Sequence, residues 1–328
     1  MSKRILWGFA GLGVALVCLV SFFSFWQTDT PQTEIAVQEP LRVVASFFPY
    51  AEFARGVAGG DASITTLVPS GVEPHDFEPT PRDIEKLYQA DVVIINGAGI
   101  DAWADKLSPE LIKRGVRVVR MSDTLNLLPG QDDEHQNESL VALEEDKHEH
   151  DESAFDPHFW LDPVLAEIQV NRIKEVFKEV DPANQVQYEA RWAVTTQELR
   201  SLDQEYTSGL SQCRLRSVVT AHDAFTYLAK RYTLEVISIA GLSPNTEPSP
   251  KRLVEIANVV RERNIGYIFF ETLSSPKLSQ TLARETGVET LVFNPIEGGM
   301  MDENGVSETY FSLMRQNLNH LRIALECL

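Results

Sequence analysis

PANQVQYEARWAVTTQELRSLDQEYTSGL, residues 182–210, runs without a strong helix breaker near the middle of the chain. Asp181 stands at the position of an N-cap, Pro182 at the first helical position and Gly209 near the end. The apolar residues recur at helical spacing and predict a buried stripe, made of Val186, Ala190, Ala193, Val194, Leu199 and Leu202. At 1.5 Å per residue such a helix spans roughly 43 Å. We therefore predict a rigid rod that joins two domains.

Short runs rich in β-branched residues lie on both sides of this helix and predict buried strands. Four precede it, at residues 41–47, 64–68, 92–96 and 116–120. Four follow it, at residues 217–220, 235–239, 267–270 and 290–293. Helical patterns separate the strands, at residues 49–58, 81–89, 101–113, 224–232, 250–263, 276–286 and 307–326.

The alternation of strands and helices predicts the fold class. Strands that alternate with helices form parallel sheets through right-handed crossovers. We predict an α/β protein with two Rossmann-like lobes, residues 41–181 and 211–328, each built on a mostly parallel four-stranded sheet. The long helix of residues 182–210 joins the lobes.

The N-terminus predicts export from the cytoplasm. Lys3 and Arg4 precede an almost unbroken apolar run from residue 5 to residue 26, which is the order of a secretory signal. We expect residues 1–28 to be a signal peptide or a retained membrane anchor, and the polar residues 29–40 to be a tether to the first strand. The mature chain is then periplasmic. Its oxidising surroundings favour a disulfide between Cys213 and Cys327.

The charge of the chain excludes one class of partner. The 48 acidic residues outnumber the 29 basic ones and give a net charge of -19. Nucleic acid requires a positive surface, so we expect no nucleic-acid binding. Residues 129–156 are dominated by acidic and amide side chains and predict a mobile loop. Its histidines, His135, His148 and His150, suggest an auxiliary role in gathering metal ions.

Three further histidines lie at comparable places in the predicted fold. His75 follows the second strand, His222 follows the fifth, and His158 lies in the segment FDPHFWLDP (155–163). Ligands of α/β sheets bind beyond the carboxyl ends of the strands, so these loops converge on one cleft. Zinc prefers imidazole nitrogen and four ligands, and Glu297, after the last strand, supplies the fourth. We predict a closed zinc site made of His75, His158, His222 and Glu297.

Three acidic residues are candidates to orient the imidazoles by hydrogen bonds, as carboxylates commonly do behind metal ligands. They are Asp156, Asp162 and Glu271. Each also has a simpler interpretation as a helix cap or a surface charge.

The segment NGAGIDA (96–102) resembles the glycine-rich motif of a dinucleotide-binding site. It has the form G-x-G-x-x-A after a strand, and Asp123 follows at about the spacing of a dinucleotide-binding fingerprint. The fingerprint belongs to a first βαβ unit, however, and this segment follows the third strand. We therefore interpret its glycines as a tight turn into a helix at Asp101.

Six segments together resemble the bacterial zinc and manganese solute-binding proteins of ABC importers, over residues 41–328. They are VEPHDFEPTPRDI (72–84), NGAGIDAW (96–103), DPHFWLDP (156–163), AHDAFTYLAKRY (221–232), SPNTEPSPKRL (243–253) and NPIEG (294–298). The resemblance implies two lobes joined by a long helix, with the metal at their interface. It also implies that His75, His158 and His222 are metal ligands and that the ion is delivered to an ABC permease.

The resemblance leaves the fourth ligand open between two positions. Many relatives place an aspartate where this chain has Asn294, whereas the zinc-type branch with the NPxE pattern uses the glutamate, here Glu297. Zinc-type relatives commonly carry an acidic, histidine-rich loop before the second ligand, as at residues 129–156. We expect a monomeric, non-enzymatic receptor for Zn²⁺.

Three alternatives remain from the sequence. A manganese or iron receptor of the same family has the same fold, although three nitrogen donors favour zinc over manganese. An exported zinc hydrolase would use Glu297 as a general base and keep a water on the metal, but the sequence has no HExxH helix and no nucleophile motif. A surface adhesin would also use the same fold.

Overall fold

The computed structural model describes residues 39–130, 155–301 and 304–328. In the first of these ranges, four parallel strands form one sheet in the order β2-β1-β3-β4. Their bounds are β1 Leu41–Ala45, β2 Ala62–Thr66, β3 Val92–Ile95 and β4 Arg117–Arg120. The central strand β3 is buried along its whole length, which explains its unbroken Val and Ile sequence.

The second sheet repeats this arrangement in the order β6-β5-β7-β8, again with parallel neighbours. Its bounds are β5 Ser217–Thr220, β6 Glu235–Ser238, β7 Tyr267–Phe270 and β8 Glu289–Val292. The predicted α/β class with two four-stranded sheets is confirmed. The strands differ from the predicted bounds by up to two residues, most at β2, which begins at Ala62.

The helices are α1 Phe48–Ala58, α2 Pro81–Gln89, α3 Ala102–Lys113, α4 Pro163–Val180, α5 Gln185–Gly209, α6 Thr226–Tyr232, α7 Pro250–Glu262, α8 Lys277–Thr286 and α9 Tyr310–Ala324. Of these, α4 was not among the predicted helices. Its signals are in the sequence, because the Asp162 carboxylate caps the backbone N–H of Val164 and Pro163 occupies the first turn.

The long helix is present where it was predicted, from Pro182 to Gly209, but the prediction was wrong about part of its buried face. Residues 182–184 form a 3-10 turn and the α-helix begins at Gln185. Asp181 stands at the predicted N-cap position of this turn, but its side chain makes no capping hydrogen bond and instead accepts hydrogen bonds from Asn184 and from the Tyr188 hydroxyl. The predicted stripe residues Val186 and Val194 are about 70% exposed (72% and 69%).

Two tyrosines explain why α5 buries a different face. The buried residues of the helix are Tyr188, Thr195, Thr196, Leu199, Leu202 and Tyr206. A buried tyrosine needs a partner for its hydroxyl, and Tyr206 donates to the backbone carbonyl of Met314 in α9 at 2.6 Å. Large aromatic rings with satisfied hydroxyls therefore outweigh the smaller Val and Ala side chains on the opposite face.

A single hydrophobic cluster contains residues of both sheets, among them Val43 of β1 and Val218 of β5. Phe53 of α1 packs edge to face on Tyr310 of α9, with ring centroids 4.8 Å apart. The Tyr310 hydroxyl also donates to the backbone carbonyl of Trp160 at 2.7 Å. Because the lobes share one packed core, we expect their relative movement to be small.

Cys213 and Cys327 form a disulfide, which confirms the predicted pair. It joins the segment after α5 to the segment after α9, where Leu215 N–H also donates to the Leu325 carbonyl. In the part of the chain that the structure describes, no helix is both long and apolar enough to cross a membrane. The predicted signal segment, residues 1–28, and most of the tether lie outside the described residues.

Candidate metal centre

The structure brings together the four residues predicted as ligands. His75 lies in a 3-10 turn, Pro74–Asp76, beyond β2, and His222 is the second residue after the end of β5. His158 precedes a second 3-10 turn, Phe159–Leu161, and Glu297 lies beyond β8. One possible ligand atom from each of these side chains lies within 4.8 Å of all the others.

The distances between these atoms have the size that a small four-coordinate cation requires. The Nε2 atom of His158 lies 3.3 Å from Nε2 of both His75 and His222. Oε1 of Glu297 lies 3.4 Å from Nε2 of His158, 3.6 Å from that of His75 and 3.7 Å from that of His222. Metal bonds of about 2.0–2.1 Å in a tetrahedron place neighbouring ligand atoms about 3.3–3.4 Å apart.

Carboxylates behind two of the rings direct their Nε2 atoms into the site. Asp156 Oδ1 lies 2.8 Å from Nδ1 of His158, and Glu271 Oε2 lies 2.7 Å from Nδ1 of His222. Each carboxylate also accepts the backbone N–H of the same histidine, at 2.9 Å and 3.2 Å. With the proton on Nδ1, the Nε2 lone pair faces the other predicted ligands.

Asp162 does not take part in this arrangement and has the simpler of its two interpretations, that of a helix cap. Its carboxylate caps α4 and accepts two hydrogen bonds from Arg231 Nε, at 2.9 Å and 3.0 Å. The sequence placed it four residues after His158, but the 3-10 turn between them points the two side chains to different partners. Asp162 therefore joins α4 to α6, and Asp156 and Glu271 are the carboxylates that meet the imidazoles.

Glu73 lies beside the site and was missed in the sequence. Its carboxylate accepts the backbone N–H of His75 at 3.3 Å. Burial and the charge of Glu297 raise the pKa of Glu73 to about 8. The signal was a repeated acidic-Pro-His pattern, since residues 73–75 read EPH and residues 156–158 read DPH. In both copies the acidic side chain accepts the N–H of the histidine two residues later.

A strained turn presents Glu297. Ile296 is fully buried and has a φ of 60°, in the left-handed region that β-branched residues rarely adopt. The Asn294 side-chain oxygen accepts the Ile296 N–H at 2.7 Å. Asn317 of α9 in turn holds the backbone N–H and carbonyl of Asn294, at 2.9 Å and 2.7 Å. Asn294, the alternative fourth-ligand position, thus uses its side chain to stabilise the turn.

The buried side chain of Trp160 connects the segment of His158 to this turn. Its ring lies 5.3 Å from the His158 ring, measured between centroids. Its Nε1–H donates to the Pro295 carbonyl at 2.8 Å, two residues before Glu297. One rigid side chain therefore contacts a predicted ligand from the first half of the chain and the turn that carries a predicted ligand from the second half.

The electrostatics of the site are dominated by the buried Glu297 carboxylate. Burial raises the pKa of this carboxyl, but the three imidazoles outweigh burial and hold the pKa well below its usual value. In the described residues, neither carboxylate oxygen of Glu297 has a hydrogen-bond partner. A buried anion without such partners is costly, and a bound cation would compensate it.

The histidines respond to the same charges in different ways. Burial by itself lowers the pKa of His158, but Asp156 and Glu297 raise it overall to about 8. For His222, burial is likewise outweighed by Glu271 and Glu297, and the pKa is raised well above its usual value. His75 has burial as its largest influence, and its pKa is lowered. The centre is therefore built to hold positive charge, either as protons or as a metal ion.

The remaining histidines do not join this centre in the described structure. His320 of α9 lies with Nδ1 2.7 Å from the Val292 carbonyl. His135, His148 and His150 lie outside the described residues. The segment NGAGIDA offers no dinucleotide site, because the Asp101 carboxylate accepts the backbone N–H groups of Asn96 and Gly97, at 2.7 Å and 2.8 Å. A carboxylate there excludes a phosphate.

Comparisons with known proteins find relatives that are named for zinc binding and zinc uptake. The chain is 34% identical over 333 residues to the zinc-binding protein AdcA of Streptococcus pyogenes serotype M3, covering 99% of this chain and 62% of that protein. It is 34% identical over 316 residues to the high-affinity zinc uptake system protein ZnuA of Bacillus subtilis, covering 96% and 97%. The chain thus spans less than two thirds of the length of the first relative.

A solved structure shows the same fold. The Zn(II)-bound ZnuA-like domain of Streptococcus pneumoniae AdcA superposes with a TM-score of 0.73 at 35% identity, over 88% of this chain and 99% of that chain. Residues 43–324 match the sequence profile described as "Zinc-uptake complex component A periplasmic". The resemblance seen in the sequence is confirmed, and the chain belongs to the family of periplasmic zinc-uptake complex component A.

Proposed function

We propose that this protein is an extracytoplasmic receptor that binds Zn²⁺ through His75, His158, His222 and Glu297 and delivers it to an ABC permease. The observation that carries the proposal is the spacing of the four donor atoms, 3.3–3.7 Å along the measured edges, around a point that is almost entirely buried. A set of four protein ligands leaves no position for a reacting water, and it is therefore suited to capture rather than catalysis.

Both halves of the chain contribute to the proposed site. His75 and His158 come from residues 41–181, and His222 and Glu297 come from residues 211–328. The bound ion would link the two lobes, which already share a hydrophobic core. Release to the permease would then need only small movements of the ligand loops.

Titration calorimetry and competition with a zinc chelator test the metal specificity. We expect one tightly bound Zn²⁺ per chain and weaker binding of Mn²⁺, because three nitrogen donors suit zinc better. His158→Ala should lower the zinc affinity strongly, and His320→Ala, outside the centre, should leave it at the wild-type value. Equal affinity for both metals, or an unchanged affinity in His158→Ala, would contradict the proposed ligand set.

A hydrolase function makes a different prediction. A zinc hydrolase with Glu297 as general base would cleave ester or peptide substrates, and a chelator would abolish the activity. We expect no such activity. Detection of hydrolysis that zinc restores would replace the receptor proposal.

The route of the ion is tested in cells. The exported location follows from the basic and apolar order of residues 3–26 and is supported by the word "periplasmic" in the family description. Fractionation should find the protein outside the cytoplasm, with release or retention of residues 1–28 deciding whether they form an anchor.

Deletion of the gene should impair growth in zinc-poor medium, and unchanged growth would favour an adhesin. Light scattering should give a monomer.

The three histidines of residues 129–156 are proposed to gather zinc near the centre. Their support is the sequence alone, which places them among many carboxylates. Replacing His135, His148 and His150 together by Asn should slow zinc association at low concentration and leave the affinity of the central site unchanged. An unchanged association rate would remove this role.

A further inference from the structure

The NGAGIDA segment contains an asparagine that contacts the peptide carrying a proposed ligand. Asn96 follows the last residue of β3 and is fully buried. Its Nδ2 donates to the carbonyl of Pro157 at 3.2 Å and to the carbonyl of Gly97 at 2.7 Å. Its Oδ1 accepts a hydrogen bond from the Tyr50 hydroxyl. All of the amide's contacts are therefore buried and specific.

The Pro157 carbonyl and the His158 N–H belong to one planar peptide group. Asn96 holds the carbonyl, and the Asp156 carboxylate holds the N–H at 2.9 Å. With both polar groups engaged, this peptide cannot rotate without losing a buried hydrogen bond, which costs about 1–3 kcal/mol. The orientation of the peptide sets the direction of the His158 side chain, because the peptide plane fixes the backbone on the N-terminal side of its Cα.

The turn after Asn96 makes this asparagine rigid. Gly97, Ala98 and Gly99 all have positive φ, at 78°, 53° and 87°. A Cβ atom at Gly97 would lie 2.2 Å from Ser122 Oγ, so only glycine fits there. Asp101 closes the turn by accepting the N–H groups of Asn96 and Gly97. The backbone beneath the Asn96 side chain is thus held from both ends.

We propose that Asn96 is a positioning residue that sets the His158 imidazole for metal binding through the Pro157–His158 peptide. This inference rests on the proposed function, since it assigns to the glycine turn a role at the zinc centre. Among the described residues, the Asn96 side chain forms hydrogen bonds with Tyr50, Gly97 and Pro157 and with none of the four proposed ligand side chains. Its effect on zinc must therefore pass through His158.

The test compares Asn96→Ala with Tyr50→Phe. Both variants remove a hydrogen bond from the same buried network, but only the first removes the donor to the Pro157 carbonyl. We expect Asn96→Ala to lower zinc affinity by about 10- to 100-fold and to alter the visible absorption spectrum of the Co²⁺-substituted protein. Tyr50→Phe should keep the wild-type affinity and spectrum, although its unfolding midpoint in urea falls.

A second comparison separates positioning from general weakening of the fold. In a His158→Ala background, Asn96→Ala should cause no further loss of the residual zinc affinity, because the group that it positions is absent. A further loss equal to that in the wild-type background would overturn the inference, as would a folded Asn96→Ala protein with wild-type affinity and Co²⁺ spectrum. If Asn96→Ala does not fold, Asn96→Ser is measured in the same way and should show the same loss of zinc affinity, because its hydroxyl takes the position of the asparagine Cγ and lies one bond short of the donor that reaches the Pro157 carbonyl.

The outcomes distinguish this inference from the proposed function. If the wild-type protein and Tyr50→Phe both fail to bind zinc, the proposed function fails. If both bind zinc and Asn96→Ala binds it equally well, only the role of Asn96 fails.

Discussion

Replacing Glu271 by glutamine tests how far the metal centre depends on the carboxylates behind its imidazoles. The two oxygens of Glu271 accept two different donors of the same residue, Nδ1–H of His222 at 2.7 Å and its backbone N–H at 3.2 Å. Glutamine has nearly the same shape but only one oxygen. Its NH₂ group must therefore face one of these two donors, or the ring must change its tautomer.

Either response weakens zinc binding. If the ring accepts a hydrogen bond from the glutamine at Nδ1, its proton moves to Nε2 and blocks the lone pair that faces the ion. If the tautomer stays, the buried N–H loses its acceptor and the negative charge that strengthens the ligand is gone. Removing such a partner typically lowers metal affinity about 10- to 100-fold, which equals about 1.4–2.7 kcal/mol.

The assay is competition with a chelating dye at pH 7.5, combined with urea unfolding of the metal-free protein. Glu235→Gln is the matched control, because Glu235 begins β6 and bonds Ser217 and Arg263 on the surface. It should bind zinc like the wild type. A folded Glu271→Gln protein with wild-type zinc affinity would refute the reasoning, since it would show that the buried carboxylate does not set the state of His222.

Three further predictions concern stability. Removal of zinc by a chelator should lower the melting temperature measured by calorimetry. The reason is that an ion at about 1,000 times its Kd stabilises the folded state by about 4 kcal/mol. An identical melting temperature with and without the chelator would argue against a zinc site in the folded state. Replacing Cys213 and Cys327 by Ser should lower the free energy of unfolding by about 2–5 kcal/mol in urea titrations, whereas reductant should not affect the variant. Arg315 holds the pKa of Glu205 in the folded protein below its usual value. The ion pair therefore stabilises the fold fully at a pH above the usual Glu pKa, and this stabilisation is lost as the pH falls through the lower pKa of the folded state. Arg315→Gln should therefore lower the free energy of unfolding by no more than about 1 kcal/mol at pH 7, because both side chains are more than a third exposed. The difference in unfolding free energy between wild type and variant should shrink below about pH 4. A difference that stays constant with pH would show that the ion pair is not its source.

Local patterns were sufficient to predict the architecture. The strands alternate with helices in the order that parallel sheets need, and most predicted bounds lie within two residues of the observed ones. The candidate ligands could be found because parallel strands end at a common edge. The helix α4 could also have been found, since Asp162 and Pro163 mark its start.

Other features depend on partners that are distant in the sequence. Leu199 and Leu202 of α5 are buried as predicted, but Val186 and Val194 are exposed because Tyr188 and Tyr206 occupy the inner face. Hydropathy alone could not rank a tyrosine above a valine there. The choice follows from the acceptors that the tyrosine hydroxyls meet in the folded chain.

The sequence by itself determined which residue types are available for the centre and near which strand ends they lie. Only the tertiary structure decided that Asp156 and Glu271, and not Asp162, hold imidazoles, and that Asn96 reaches the peptide of His158 across 61 residues of chain. The physical reason is the range of the interactions. Strand and helix preferences act over a few neighbouring residues, whereas hydrogen bonds of about 3 Å require coordinates that exist only once both sheets and the shared core have formed.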